Sequence, residues 1–400
     1  MGPMTDTSVD GDAAPRRACP ACLTEVPDAQ FCGHCGAALD APIGYWRQLL
    51  RPSVFAPAPR ERLLLPTPTS ALFPGLGDLT RKPFRLAMIV LAAGLVALSL
   101  LRYLDGLVIL APLGLPLLFG LYLWQSGAFR DIPVHILATA IILGAVLSVA
   151  WWIWTGGLVA SWYGVPTVAG LALEKTLSIG LAITAGGAVL MLAPAAVVRL
   201  LHLPARESLD RFALGALAAL TYMVAGTLTW LAPQFTSGLL DNLSATRLLE
   251  ESVLYGVVDP VITVTLGGLF GVCLWFRPAR RAGFGPRRPR VALATATAAA
   301  AIAYLAVWTI DAAQFPRVTE LAATLTLAVV AVLCLRIGLQ IALLHELPDA
   351  ATEQPSLCVH CLRVVPEMPF CPACGGAART SSRQARRRAR ESPPVRVETG

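Results

Sequence analysis

Eight apolar blocks run through the middle of this 400-residue chain and decide what it can fold into. Each block is about 20 residues long, enough for an α-helix to cross about 30 Å of hydrocarbon. Charged residues make up only 14% of the chain and its mean hydropathy is +0.63, which excludes a soluble globular protein. The sequence therefore predicts an all-α, polytopic transmembrane helical bundle, with spans at residues 84–101, 107–124, 132–154, 175–198, 212–232, 252–276, 291–310 and 321–343.

The apolar stretch at residues 155–174 is ambiguous, because Gly156, Gly157, Gly164 and Pro166 interrupt it. A ninth span at this point would put the two ends of the chain on opposite sides of the membrane. We expect a re-entrant or interfacial loop, which is tolerated at membrane depth only when it is buried against protein.

Basic residues and tryptophans indicate how the spans are oriented. With the N-terminus inside the cell, the inner loops contain ten basic residues and the outer segments four, as the positive-inside rule requires. Tryptophans fit the membrane interfaces at span ends, and four gather at one outer boundary. We therefore expect a multi-pass protein of the bacterial cell (inner) membrane with both termini cytoplasmic. The inner basic residues are Arg130, Arg199, Arg206, Arg211, Arg277, Arg280, Arg281, Arg287, Arg288 and Arg290; the outer ones are Arg102, Lys175, Arg247 and Arg317; the four tryptophans are Trp151, Trp152, Trp154 and Trp162.

Eight of the ten cysteines form two groups with the same C-x2-C-x9-C-x2-C spacing, one near each end of the chain. The surrounding segments also match at Phe31 and Phe370 and at Gly36 and Gly375, which marks an internal repeat. Two residues between cysteines allow one tight turn to direct both thiolates at one ion, and two such turns complete a tetrahedron. The predicted metal ligands are Cys19, Cys22, Cys32 and Cys35, and Cys358, Cys361, Cys371 and Cys374.

Both ends resemble small zinc ribbons of the double-zinc-ribbon type, which is found in many bacterial membrane and regulatory proteins. A module of about 20 residues cannot bury enough surface to fold alone, so the metal would supply most of its folding free energy. We expect two zinc ions, one per ribbon. The alternatives are a disulfide framework or a redox-active CxxC pair. His34 and His360 lie inside the cysteine turns, but four thiolates already fill each site.

The polar segments complete the domain organisation. Pro-rich composition forbids a long helix before the first span and favours an extended linker. The C-terminal residues are rich in arginine without apolar periodicity, which is typical of disorder. The predicted units are a disordered segment at 1–17, a zinc ribbon at 18–40, a Pro-rich linker at 41–83, the transmembrane domain at 84–345, a second zinc ribbon at 357–378 and an Arg-rich disordered tail at 379–400.

A few charged residues lie inside or beside the apolar blocks, where charges are costly and often functional. Glu174 and Lys175 begin the fourth span, and Asp259 lies within the sixth. These three residues are a candidate intramembrane polar site, with interfacial or structural roles as the alternative. Arg336 in the last span is expected to extend its side chain towards the inner face.

The region from span four to span six resembles PrsW-type intramembrane proteases, whose pattern is EExxK, FxxxE and HxxxD on successive helices. In this chain LALEK keeps the lysine but has no glutamate pair, YMVAG lacks the glutamate, and DPVIT has an aspartate in place of the histidine. The resemblance implies a degenerate protease core. The matching positions are Leu171, Ala172 and Lys175, then Tyr222 and Gly226, then Asp259 and Thr263.

These observations favour a non-enzymatic membrane scaffold or regulatory protein with two cytoplasmic zinc ribbons, acting as a pseudoprotease that binds a membrane partner. The alternatives are an intramembrane hydrolase using Glu174 and Asp259, with an activity of its own, and a lipid or small-molecule transporter. Expected partners are the lipid bilayer, a protein bound by the ribbons or the helices, and anionic lipid at the Arg-rich loop and tail; nucleic acid is not expected. Only two of the 32 basic residues are lysines, which suggests a high-GC, actinobacterial-type source.

Overall fold

A computed structural model describes residues 15–40, 49–163, 173–201, 207–237, 244–279, 285, 287–312, 316–346, 355–358, 360–383 and 386–387. Eight helices in this part of the chain are long and apolar enough to cross a membrane, so the eight-span prediction is confirmed. They are α1 Asp78–Leu100, α2 Leu104–Gln125, α3 Val134–Tyr163, α4 Leu173–Leu200, α5 Ser208–Ser237, α6 Ala245–Trp275, α7 Arg287–Ala312 and α8 Arg317–His345.

The segment at 155–174 differs from expectation. Residues 155–163 continue α3 as helix, although we expected a re-entrant or interfacial loop there. The two glycines at 156 and 157 do not stop the helix, because an apolar run at membrane depth satisfies its backbone groups best within a helix. Residues 164–172 lie outside the described part of the chain.

The centre of the bundle is the contact between α5 and α6. A Cβ atom at Gly215 would lie 2.2 Å from the carbonyl oxygen of Gly267, and one at Gly271 would lie 2.3 Å from the carbonyl oxygen of Arg211. The two backbones therefore touch directly, which only glycine permits. Gly267 and Gly271 form a GxxxG motif on α6, a spacing that is typical of closely packed membrane helices.

Helix α6 contains one irregular turn, which precedes Asp259. Its α-helical part Ala245–Val253 is followed by a π-helical turn, Leu254–Val258, and then by the α-helical part Asp259–Trp275. Pro260 follows this turn, and a proline cannot donate a backbone hydrogen bond to the preceding turn. The π-turn absorbs that lost bond, and π-turns often mark functional sites.

Each ribbon contains one two-stranded antiparallel sheet. Strand β1 (Arg16–Ala18) pairs with β2 (Glu25–Pro27), and β3 (Pro355–Leu357) pairs with β4 (Val364–Pro366). The register is the same in the two sheets, because Arg16 faces Pro27 as Pro355 faces Pro366. The internal repeat seen in the sequence is thus a repeat of structure.

The Pro-rich segment has an ordered part at residues 49–77, which lies against α8. We expected an extended linker at 41–83. The described part instead consists of turns and a short helix, Pro68–Leu72, with Phe55, Leu63 and Phe73 almost fully buried. Prolines prevent a long helix but do not prevent the apolar side chains between them from packing. Residues 41–48 lie outside the described part.

Two short helices complete the described elements. Ala128–Asp131 connects α2 to α3, and a 3-10 turn, Ala378–Thr380, follows the second ribbon. Large apolar side chains on the outer helices are exposed, for example Leu86 at 62% and Ile109 at 63%, as expected of surfaces that face lipid.

Candidate metal centres and intramembrane cavity

The structure brings each predicted group of four cysteines together. Within either group the sulfurs lie within 4.8 Å of one another, and all eight cysteines are free thiols. Cys19 Sγ lies 3.7 Å from Cys35 Sγ, and Cys22 Sγ lies 3.8 Å from Cys32 Sγ. The second ribbon repeats these separations, with 3.8 Å from Cys358 to Cys374 and from Cys361 to Cys371.

These separations fit a metal ion better than a disulfide. Four sulfurs at about 2.3 Å from a central zinc ion form a tetrahedron with edges of about 3.8 Å. A disulfide would need two sulfurs at about 2.05 Å. Two clusters of four cysteines can therefore hold two metal ions, and the donor set suits zinc. His360 is not among the four ligands that the structure brings together in the second cluster, and its Nε2 lies 2.8 Å from Thr380 Oγ1.

Backbone geometry places the cysteines in their turns. Gly36 and Gly375 follow the fourth cysteine of each group with φ near +75°, a conformation that glycine adopts without strain. Hydrogen bonds from Gly36 N to Cys32 O and from Gly375 N to Cys371 O close the second turn of each ribbon, at 2.7 and 2.8 Å. A hydrogen bond with Cys35 lowers the pKa of Cys19 to about 6, whereas hydrogen bonds with Cys22 and Cys35 raise the pKa of Cys32. The four thiols therefore share their protons unequally, and thiolate is the form that binds metal.

The two ribbons pack against each other with approximate two-fold symmetry. Phe31 N donates to Pro372 O at 3.0 Å, and the equivalent Phe370 N donates to Gly33 O at 2.9 Å. The ring of Phe370 lies over Gly36, and the ring of Phe31 lies over Gly375. Each phenylalanine thus packs on the opposite ribbon, and the ribbons form one unit.

The second ribbon is attached to the end of the helical bundle. Ala377 N donates to Ala56 O at 3.1 Å, and Phe370 packs with Leu343 and Leu344 at the end of α8. The contact is therefore both apolar and hydrogen-bonded, and it involves the segment at 49–77 as well as α8.

Arginines that follow the second ribbon bind carboxylates at the same end of the bundle. Arg379 lies 3.2 Å from Glu346, which Arg211 also contacts at 3.1 Å. Arg383 pairs with Asp210, and Arg386 pairs with Glu207. Glu207, Asp210 and Glu346 are each less than 10% exposed. We call these residues the arginine clamp. The first residues of the tail expected to be disordered are thus in contact with the bundle, whereas residues 388–400 lie outside the described part.

Arg336 is fully buried and does not extend towards the inner face as expected. Its guanidinium lies 3.9 Å from the ring centroid of Phe55 and 3.1 Å from Glu61. The same group donates to the carbonyl oxygens of Leu63 and Arg62, both at 2.9 Å. The folded segment at 49–77 therefore supplies the polar partners of Arg336, so its guanidinium does not need to reach water.

Glu61 is also held by two hydroxyl groups. Ser70 and Thr67 donate to its Oε2 atom. Burial by itself would raise the pKa of this carboxyl group, but the hydrogen bonds from Ser70, Thr67 and Arg336 outweigh burial and lower the pKa below its usual range. The carboxylate is therefore ionised and pairs with the arginine.

A cavity of about 300 Å³ lies between α3, α4, α5, α6 and α7. Tyr222 and Trp230 follow Asp210 of the arginine clamp by 12 and 20 residues, about 18 and 30 Å along α5, so the cavity lies in the half of the bundle remote from the ribbons. Asp259, Thr184 and Thr227 supply polar atoms. The rest of its wall is largely aromatic: Trp151, Trp152, Trp230, Trp308, Tyr222, Tyr255 and Tyr304.

Only part of the predicted intramembrane polar site can be placed. Asp259 lines the cavity and is 7% exposed, with Thr263 Oγ1 at 3.5 Å from its Oδ1. The side chains of Glu174 and Lys175 lie outside the described residues, as do Leu171 and Ala172. Tyr222, matched to the second motif, lines the same cavity as Asp259.

Gly226 stands where the PrsW pattern has a glutamate, and its surroundings leave no room for one. A Cβ atom at Gly226 would lie 2.4 Å from Trp152 Nε1 and 2.7 Å from Ser148 Oγ. The indole of Trp152 therefore fills the place of a carboxylate. Two of the tryptophans expected at the outer interface, Trp151 and Trp152, face the cavity instead, whereas Trp154 is 57% exposed.

Sequence reasoning missed Tyr255, Tyr304 and Trp308 as cavity residues. Trp308 follows Tyr304 by one helical turn, and Tyr255 precedes Asp259 by the same spacing. The one-turn spacing of these aromatic residues was the signal in the sequence that could have identified them. Aromatic residues at this spacing also form ordinary hydrophobic cores, so the signal is not specific.

No protein-family model matches the chain, and searches of curated proteins and of solved structures find no relative. Neither the PrsW resemblance nor the actinobacterial source gains support from these comparisons. The membrane-spanning helices and the two four-cysteine clusters thus stand on the sequence and the structure.

Proposed function

We propose that this protein is a non-enzymatic scaffold or regulatory component of the bacterial cell membrane, with two zinc-loaded ribbons that present one binding unit in the cytoplasm. The observation that carries the proposal is the attachment of the paired ribbons to the bundle by the arginine clamp. A partner bound to the ribbons is thereby coupled mechanically to the membrane helices.

The paired ribbons offer a surface for such a partner. Leu23 and Leu362 occupy equivalent positions after the second cysteine of each ribbon, and they are 73% and 59% exposed. Exposure of these two leucine side chains to water is unfavourable. Their burial in an apolar groove of a partner protein would stabilise the complex. Exposed arginines at the start of α7, such as Arg287 and Arg290, are available for anionic lipid.

The hydrolase alternative has weaker support. Intramembrane hydrolysis needs a group that activates water, either a tuned base or a metal. Among the described residues that line the cavity, Asp259 is the one carboxylate, and none is a histidine or a cysteine. We infer a core that holds a transmembrane partner without cleaving it. Incubation of reconstituted protein with single-span substrates should give no proteolysis above background; cleavage abolished by Asp259→Asn or Glu174→Gln would establish the hydrolase instead.

The decisive experiment on the ribbons measures metal content and partner capture together. Purified wild-type protein should contain two zinc ions, and Cys32→Ser and Cys371→Ser should each remove about one. Leu23→Asp combined with Leu362→Asp should keep the zinc but lose partners captured from native membranes. Zinc content unchanged by both cysteine variants would refute the ribbon assignment, and capture unchanged by the leucine variants would refute the binding surface.

A further inference from the structure

The composition of the intramembrane cavity is unusual for a packing defect. Four tryptophans and three tyrosines surround a volume of about 300 Å³, at the lower end of the size range of ligand pockets. The faces of aromatic rings carry negative charge density and attract cations, most strongly in tryptophan. An aromatic wall of this kind favours a small positively charged ligand over a neutral one.

Asp259 supplies the one carboxyl group among the described residues that line the cavity. Its side chain is 7% exposed and has a contact at 3.5 Å with Thr263, which is long for a hydrogen bond to an oxygen. No lysine, arginine or histidine is among the described residues that line the cavity. A buried carboxylate is stabilised when a cation pairs with it, and a ligand can supply that cation.

The hydroxyl group of Tyr222 is a second, independent sign of a missing ligand. Tyr222 lines the cavity and is 4% exposed, yet its hydroxyl has no hydrogen-bond partner among the described residues. Buried polar groups are rarely left unsatisfied. A ligand with a polar arm beside its positive charge would satisfy this hydroxyl.

The position of the cavity in the fold supports the same interpretation. Asp259 directly follows the π-helical turn of α6, and Pro260 fixes the start of the next helical segment. The turn therefore sets the direction from which the carboxylate enters the cavity. Helices α3, α5 and α7 supply the tryptophans, so one ligand would contact several spans at once.

We propose that this cavity is a binding site for a small quaternary ammonium cation with a hydroxyl or ester arm, held by the tryptophan faces and by Asp259. A free cation of the size of choline and the choline headgroup of a lipid share this chemistry. The proposal is independent of the metal content of the ribbons.

Equilibrium binding of radiolabelled choline to purified full-length protein tests the proposal. Wild type should bind choline saturably, and unlabelled choline should displace the label at least about tenfold better than neohexanol, the neutral isostere in which carbon replaces nitrogen. Displacement by neohexanol as effective as by choline, or no saturable binding, would overturn the proposal.

Substitutions of the residues that line the cavity test which side chains contact choline. Asp259→Asn and Trp308→Leu should weaken choline binding by about tenfold, while the matched controls Asp105→Asn and Trp124→Leu, at exposed positions outside the cavity, should leave it unchanged. Tyr222→Phe removes only one hydroxyl, so it keeps the test valid if another variant fails to fold; it should weaken binding by several-fold. Wild-type affinity in both Tyr222→Phe and a folded Asp259→Asn would contradict the assigned site.

Two further arms identify the source of the cation and exclude an internal one. Reconstitution in phosphatidylcholine should block labelled choline if the site takes a lipid headgroup, whereas equal binding in phosphatidylcholine and phosphatidylglycerol indicates a free cation; either result supports the shared chemistry. Lys175→Gln should leave affinity unchanged. A strong gain of affinity in that variant would mean that Lys175 already neutralises Asp259, and the proposal of an exogenous cation would fail.

Discussion

At the scale of single residues, Arg336 is the most completely buried charged side chain among the described residues. It is fully buried, and Glu61, Phe55 and backbone carbonyl oxygens of the segment at 49–77 surround it. Buried ion pairs contribute little compared with an apolar replacement of both partners, but removing one partner leaves the other charge buried alone. Substitution of either Arg336 or Glu61 alone is therefore expected to destabilise the fold.

Arg336→Ala should lower the free energy of unfolding in mild detergent by about 3–5 kcal/mol, because Glu61 loses its buried guanidinium partner and two carbonyl oxygens lose their donor. The matched control is Arg247→Ala, which breaks an exposed pair with Glu251 on α6 and should cost at most about 0.5 kcal/mol. Thermal and denaturant unfolding followed by circular dichroism measures both. An equal decrease in the free energy of unfolding in the two variants would show that the buried pair contributes no more to stability than the exposed pair.

The lowered pKa of Glu61 makes stability depend on pH in a defined direction. The ionised form is favoured in the native state, so its contribution is fully present above the ordinary glutamate pKa of about 4.3 and is lost as pH falls through the lower native value. The stability difference between wild type and Glu61→Gln should therefore be largest near neutral pH and shrink below about pH 4. A difference that grows on acidification would contradict this assignment.

At the scale of elements, the pairing of the two ribbons depends on two glycines with positive φ. Gly36→Ala places a Cβ atom 2.7 Å from the ring of Phe370 and forces a left-handed conformation on a non-glycine residue, at a cost of about 1 kcal/mol or more. We expect zinc to be released to a chelator several-fold faster from this variant than from wild type. Gly120→Ala is the control, because no atom lies within 4 Å of a Cβ there. Identical release from both variants would mean that ribbon pairing does not protect the metal.

The elements were predictable from sequence where one local rule decides them. Span lengths follow from apolar blocks, and the turns around the cysteines follow from ligand spacing and from Gly36 and Gly375. The fold of residues 49–77 was not predictable, because it depends on contacts with distant parts of the chain. Arg336 and Gln340 of α8 donate to its carbonyl oxygens, and Phe73 packs with Tyr122 of α2. The same reason explains Arg336. Its position along α8 predicted a side chain that extends to the membrane surface, because the sequence did not show that protein rather than lipid surrounds it.

The cavity shows a similar limit. Asp259 was identifiable as a costly charge within a span, but Trp151 and Trp152 were assigned to the membrane interface, because interfacial tryptophan is the common case. Their orientation depends on the close approach of α3 to α4 at Gly186 and to α5 at Gly226. A pattern along one helix does not reveal which neighbouring helix carries the glycine that makes room for an indole.

At the scale of the whole molecule, the contact between the ribbons fixes the relation of the two chain ends. Reporter fusions after residues 40 and 400 should give the same readout, and the charge bias of the loops leads us to expect the cytoplasmic one. Phosphatase and fluorescent-protein fusions measure this in intact cells, with a fusion after Arg102 as the control expected on the opposite side. Opposite readouts at the two ends would require an odd number of spans.

The contact of Arg336 with Glu61 also determines when the protein can finish folding. The two residues are 275 positions apart, and Arg336 lies in the last span to be made. At a translation rate of about 5–20 residues per second, Glu61 waits on the order of tens of seconds for its partner. During that interval Glu61 lacks the guanidinium of Arg336, and α8 does not yet contact the segment at 49–77. A chain that ends before α8 would therefore leave the segment at 49–77 without the donors that Arg336 and Gln340 supply, and completion of α8 is the step that provides them.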